Sequence, residues 1–207
     1  MGKRLSGKRP VDTKKRILEE SEKLFADKGF DSTGIDEIAK SVGIAKSVIY
    51  YHFKNKDEIL QSMMEKFFDE ALEFKKQIAE LYFADPDNYL QQAFVETMRF
   101  GENRKRMAKI LLMESIKNTE KVPIFRYWEE RAPVITDLHK EKIKDITTSD
   151  IMLQAFFMHY LPYMGYLVFS DRFCDYFHIK EEDMREKFVG YLTEYYEKVF
   201  KPRIMNI

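Results

Sequence analysis

Lys46, Ser47 and Tyr50 are three hydrogen-bond donors on a segment that can form a short helix from about Ala45 to Tyr51. At helical spacing they share an exposed face, while Val42, Ile44, Ile49 and Phe53 are left to pack inward. A helix with an apolar back and donors on its front is suited to base edges and phosphates in a DNA groove. The stretch before it, Thr33 to Lys40, is amphipathic, with Ile35, Ile38 and Ala39 on one side, and Gly43 interrupts the pattern between the two. Two short helices joined by a tight turn at a glycine have the layout of a helix-turn-helix, whose second helix lies in the major groove. An ordinary pair of packed helices around Gly43 has the same spacing.

Further helices must position these donors. Asp12 is a candidate N-cap for a first helix running to Lys28, with Ile17, Leu18, Ser21, Leu24 and Phe25 as its buried stripe. Gly29 reads as the left-handed residue that ends it, and Phe30 as folding back onto it. Thr33 reads as the start of the second helix, with Asp36 three residues on as a near capping box. Asn55 reads as the cap of a fourth helix with Asp57 and Glu58 in its first turn. The free N–H groups there favour an approaching phosphate, as does Lys56.

The run Leu24-Phe-Ala-Asp-Lys-Gly-Phe30, then Thr33, Ile38-Ala39, Val42-Gly-Ile44 and Ile49-Tyr-Tyr-His-Phe-Lys-Asn-Lys-Asp-Glu-Ile-Leu60 resembles the DNA-binding domain of the tetracycline-repressor (TetR) family of bacterial transcriptional regulators. The resemblance begins at Ile17 and covers about a quarter of the chain; Ile49 to Lys56 is its most specific block. It implies an all-α fold: a three-helix helix-turn-helix DNA-binding domain over residues 11–71, then a helical ligand-binding and dimerisation domain over residues 72–207. It gives Thr33, Ala45, Lys46, Ser47, Val48, Tyr50, Tyr51, His52, Lys54 and Lys56 as DNA-binding candidates, with Tyr50, His52 and Lys56 on phosphates. The chain departs from the family's pattern in places. Gly34 and Ile35 stand where hydroxyl residues are frequent, Asp36 where some members present a basic residue, Ala45 at the usual Ser or Thr cap and Val48 at a common Thr. Val48 can still meet a thymine methyl.

Composition fits a globular α protein of 207 residues. Only 8 Gly and 6 Pro favour long helices over turn-rich β structure. The formal net charge is zero but unevenly spread: residues 1–56 carry 13 Lys and Arg against 8 Asp and Glu, the rest 22 against 27. A basic N-terminal end points to an acidic partner. Residues 1–10 read as a mobile basic arm. Cys174 is the sole cysteine, which excludes an intrachain disulfide, and no apolar signal-peptide core follows the N-terminus; a cytoplasmic location is expected.

The remainder reads as helices from about 56 to 78, 88 to 100, 107 to 116, 122 to 146, 151 to 169 and 181 to 200, with a polar interruption at Gly101–Arg106 and a kink or break at Pro133. Ile151 to Phe169 reaches the length of a membrane span. Gln154 and His159 interrupt it, and burial on two faces explains its apolar character equally. That segment and the last helix, through Phe188, Tyr191, Leu192 and Tyr195, read as the interface of a homodimer built as a four-helix bundle, the family's habit.

The four histidines show no metal-ligand spacing, Cys174 and His178 alone do not make a zinc site, and no nucleophile–base pair or phosphate loop appears, so no enzyme, metal or cofactor is expected. Part of the Met- and aromatic-rich body would line a pocket for a small apolar or aromatic effector, with Trp128, Gln154, His159 and Tyr163 as its polar and stacking contacts. The reading is a homodimeric regulator, a ligand-released repressor on a palindromic double-stranded operator. In the family, effector binding alters the fourth helix and so the separation of the DNA heads. An α-helical small-molecule enzyme and a protein-interaction adaptor are the rival classes.

Overall fold

The computed structural model describes residues 10–84, 89–117, 147–200 and 202. All regular structure among them is helical, and the chain divides into two compact units, Met1–Ala71 and Leu72–Ile207.

In the first unit, α1 (Pro10–Lys28) starts two residues before Asp12, which corrects the expected cap. Proline suits a first helical position because its missing N–H has no intrahelical partner there. Gly29 follows with φ 88°, and Phe30 folds back so that its ring meets Phe25 edge-on at 5.1 Å. α2 (Ile35–Val42) is capped by Gly34, not Thr33, and without a side-chain bond. It buries Ile38, Ala39 and Val42. Gly43 closes it at φ 74°, donating its N–H to the Ala39 carbonyl at 3.0 Å. A side chain there would meet no neighbour, so backbone conformation alone calls for glycine. α3 (Lys46–His52) follows with Ala45 as an extended N-cap that makes no side-chain bond. α4 (Lys56–Ala84) begins in this unit and continues into the second. Its start is capped as expected: the Glu58 N–H donates to Asn55 Oδ1 at 2.8 Å. Ile17, Phe25, Ile38, Ile49, Phe53, Ile59 and Leu60 form a dry core behind α3.

In the second unit, α5 (Tyr89–Glu102) and α6 (Lys105–Lys117) are separated only by Asn103 and Arg104, so the expected interruption is shorter than read. α7 (Thr148–Gln154) runs through a π-helical turn, Ala155–Tyr160, into α8 (Leu161–Phe177). His178, at φ 56°, ends α8. α9 (Glu181–Tyr195) ends in a second π-helical turn, Tyr196–Phe200. No helix among the described residues is long and apolar enough to cross a membrane. The helix expected over 122–146, its Pro133 kink and Trp128 lie outside the described residues.

α9 packs on α5 and α8. Glu102 ties all three together: its Oε1 accepts from Tyr166 Oη and from Arg185 Nε, each at 2.8 Å. Tyr166 also stacks on Phe188, centroids 4.7 Å apart. Gly101 lets α5 and α8 approach closely. A Cβ built there would lie 2.1 Å from Tyr163 Oη and 2.7 Å from a Leu167 methyl.

The residues expected at a dimer interface differ in exposure within one chain. Leu192 is only 8% exposed within one chain, Phe188 is stacked on Tyr166, and Tyr195 meets His159 edge-on at 5.5 Å. Of these residues Leu192 is buried, Phe188 and Tyr195 are half-buried and Tyr191 is exposed. Apolar surface is also exposed on α8, where Phe169, Phe173 and Tyr176 recur at i, i+4 and i+7 opposite buried Leu167, Ser170 and Cys174.

Candidate nucleic-acid interface

α3 is short, and one residue, Ile49, anchors it fully in the core; Val48 and His52 are half-buried at its flanks. Seated in this way, it leaves Ala45, Lys46, Ser47, Tyr50 and Tyr51 exposed, the last by 82%. Tyr51 leans edge-on against His52 at 5.0 Å at the end of the helix. Phe53 is buried beneath, with the Lys14 ammonium 5.3 Å from its ring centre. The arrangement presents hydroxyls, an ammonium and an imidazole on one surface of a helix with a fixed back. Its chemistry is hydrogen-bond donation to acceptors on base edges and phosphate oxygens.

Lys46 opens α3, and its ammonium is held 2.8 Å from Asp36 Oδ2 in the first turn of α2. The carboxylate keeps that ammonium above the usual lysine range. Further carboxylates meet cations on the same unit: Glu37 pairs with Lys28, and Glu20 binds both Lys23 and Ser41. Glu20 is held below its usual range, first by the Lys23 hydrogen bond and then by Ser41. Lys54 is exposed, and its backbone N–H donates to the Glu58 carboxylate at 2.5 Å.

Two expected DNA contacts point elsewhere. Thr33 is 1% exposed, and its hydroxyl donates backward to the Gly29 carbonyl at 2.9 Å. A hydroxyl that closes the end of α1 in this way is not presented to DNA. The Lys56 ammonium also turns inward, donating to the Phe30 and Thr33 carbonyls at 2.6 and 2.8 Å and approaching that of Asp31 at 3.4 Å. Sequence reading missed Asp36 as part of this surface. The signal was a carboxylate at a position where some family members carry a base, and Lys46 ten residues on.

In the second unit, Gln154 is half-buried at the end of α7. Tyr163 Oη donates to the Thr97 carbonyl at 3.0 Å, and burial pushes its phenol up from the ordinary range. His159 sits in the π-helical turn, ringed by Tyr195, Tyr196 and Phe200, the last edge-on at 4.7 Å. Its Nε2 is buried with no hydrogen-bond partner among the described residues, and burial lowers its pKa below the usual histidine value. No cluster of three or more metal-ligating side chains occurs among the described residues.

Residues 17–63 match the family model for bacterial regulatory proteins of the tetR family. Over 61 residues the chain is 41% identical to the biofilm operon icaADBC negative transcriptional regulator IcaR of Staphylococcus epidermidis, covering 30% of this chain and 33% of that protein. Over 107 residues it is 30% identical to the HTH-type transcriptional regulator AcrR of Shigella flexneri, covering 51% and 48%. The chain thus spans less than half the length of these curated relatives. The fold likeness runs further. A TetR-like transcriptional regulator from Rhodococcus sp. RHA1 superposes with a TM-score of 0.63 at 18% identity, over 94% of this chain and all of that one. Residues 17–63 thus form a helix-turn-helix domain of the tetR-family type, the part of the chain over which this likeness in sequence holds.

Proposed function

We propose that the protein is a DNA-binding transcriptional regulator, a repressor that binds a palindromic operator as a homodimer and is released by a small apolar or aromatic effector. The donor face of α3, Lys46, Ser47 and Tyr50 set over buried Ile49, carries the reading. Val48, Tyr51, His52 and Lys54 flank it and complete the proposed contacts. Two such faces related by a two-fold axis meet half-sites about one helical turn apart.

The exposed stripe of Phe169, Phe173 and Tyr176 on α8 supports the dimer. A run of aromatic side chains on one open helix face marks an association surface, and a palindrome requires a second copy of the same chain. Tyr191, exposed on α9, and its neighbours Phe188, Leu192 and Tyr195 are the further proposed interface residues. In the second unit, His159 Nε2, which has no hydrogen-bond partner among the described residues and lies among aromatic rings, supports an effector that is mainly apolar with one hydrogen-bonding group. Tyr163, Gln154 and Trp128 are further proposed contacts. α4, which enters both units, is the covalent path between effector and DNA heads.

The test is selection of duplexes from a random pool by the full-length protein, followed by titration over salt. Enrichment of one inverted repeat, bound with a steep salt dependence and released by a hydrophobic compound, is the expected result. Turnover of a small molecule without sequence enrichment would replace this reading with an enzyme.

A further inference from the structure

The one cation on the exposed face of α3 is not free: Lys46 is joined to Asp36 across the two helices of the motif, 2.8 Å apart, with side chains 47% and 77% exposed. An ion pair this exposed contributes little to stability, roughly 0–1 kcal/mol. Its effect on binding is larger. A lone lysine on a DNA-facing surface neutralises a phosphate at any sequence and releases counterions wherever it lands. A carboxylate beside it offsets that charge and competes with phosphate for the ammonium. What the pair retains is directional chemistry. The ammonium can donate to guanine O6 and N7.

We propose that Asp36 is a positioning residue for Lys46: it holds the ammonium away from the phosphate backbone and aims it at base edges, so that the pair sets the discrimination between operator and random DNA. This deepens the regulator reading and rests on it. The surroundings agree. Glu37 is paired with Lys28, so Asp36 is the carboxylate of the first turn of α2 left for α3. Ala45, just before Lys46, adds no side-chain bond that could fix the start of α3 differently.

The experiment uses the full chain and four variants: Asp36→Ala, Asp36→Glu, Lys46→Ala and the Asp36→Ala/Lys46→Ala double change. Each is titrated against the selected operator and a random duplex over a range of salt. Asp36→Ala is expected to tighten random DNA and to lower the operator-to-random ratio roughly tenfold, the scale of one base contact. Its salt slope should steepen by about 2 × 0.9, since a dimer gains two phosphate contacts. Asp36→Glu should restore the wild-type ratio. In the Lys46→Ala background, removing Asp36 should change neither ratio nor slope. The idea is overturned if Asp36→Ala leaves both quantities at wild-type values. It is equally overturned if the same change appears without Lys46, because Asp36 would then act alone. Wild-type protein that binds no DNA at any salt overturns the regulator reading, and the role of the pair with it.

Discussion

Lys56 places its ammonium 2.6 Å from the Phe30 carbonyl oxygen and 4.3 Å from the centre of the same residue's ring. One residue thus receives both a charge-assisted hydrogen bond and a cation–π contact from the start of α4. With the Thr33 carbonyl also accepting at 2.8 Å, Lys56 pins the α1–α2 connection to α4. Lys56→Met keeps an unbranched stem near the ring but removes the ammonium from both carbonyls, leaving that of Phe30 with the Thr33 N–H at 3.3 Å. The expected loss is about 1–3 kcal/mol in the N-terminal unit, read as a lower denaturant midpoint in the full chain. The salt slope of DNA binding by folded protein should not move. A slope flattened by about 2 × 0.9 with an unchanged midpoint would put Lys56 on phosphate instead.

Gly101 offers a sharper packing test. Its helix passes so close to α8 that a methyl group would overlap Tyr163 Oη and both Leu167 methyls. Tyr163 cannot swing away without losing its bond to the Thr97 carbonyl. Gly101→Ala normally favours a helix by close to 1 kcal/mol. Here overpacking should reverse the sign and destabilise the second unit by about 1–3 kcal/mol. Adding Tyr163→Phe removes the nearest atom and should recover part of the loss. Thermal melts of the two single variants and the double variant measure the coupling; strict additivity would refute the clash.

What the sequence made legible was local. Helical periodicity marked Ile17, Phe25, Ile38, Ile49 and Phe53, and all are buried. Gly29 and Gly43 stood where their backbones turn left-handed, and Asn55 where its side chain caps α4. The failures share a cause: side-chain direction set by a partner far along the chain. Thr33 has the sequence signature of a cap, but the open carbonyl end of α1 takes its hydroxyl. Lys56 looks like a phosphate donor until folding brings the Phe30 carbonyl, 26 residues away, beside it. The stripe of α9 reads as wide, yet periodicity cannot say which neighbour covers it. Glu102, reached by Arg185 over 83 residues, turns that face toward α5 and leaves the α8 aromatics outside.

The two helices of the proposed dimer surface can be told apart by mutation. Leu192→Glu places a charge in the monomer's own core. It should cost on the order of 3 kcal/mol or more and lower the melting temperature of the second unit. Phe173→Glu falls on the exposed stripe of α8, so the monomer should keep its helicity and melting behaviour at low concentration. Sedimentation should then find Phe173→Glu monomeric and wild type dimeric, with operator affinity falling alongside. A Phe173→Glu protein that sediments as wild type would remove α8 from the interface.

His159 ties stability to pH in a direction that can be worked out. Burial lowers its folded-state pKa below the ordinary 6.5, because the imidazolium would be desolvated among Tyr195, Tyr196 and Phe200. The unfolded chain therefore binds the proton more readily than the folded one. Stability from this group is full above about pH 6.5 and is lost progressively as pH falls below it. Aspartates and glutamates titrate mainly lower, near pH 4, so the interval from pH 7.5 to 5.5 isolates histidine behaviour. The melting temperature of the second unit should fall across that interval in wild type, and more slowly in His159→Phe, which keeps an apolar ring in the same surroundings. His52 and His178 lie elsewhere, and the His178→Ala variant controls for the histidine at the end of α8. An effector that hydrogen-bonds His159 Nε2 should raise the melting temperature of wild type and not of His159→Phe. Identical pH slopes for the two proteins would show that the imidazole is not the group being desolvated.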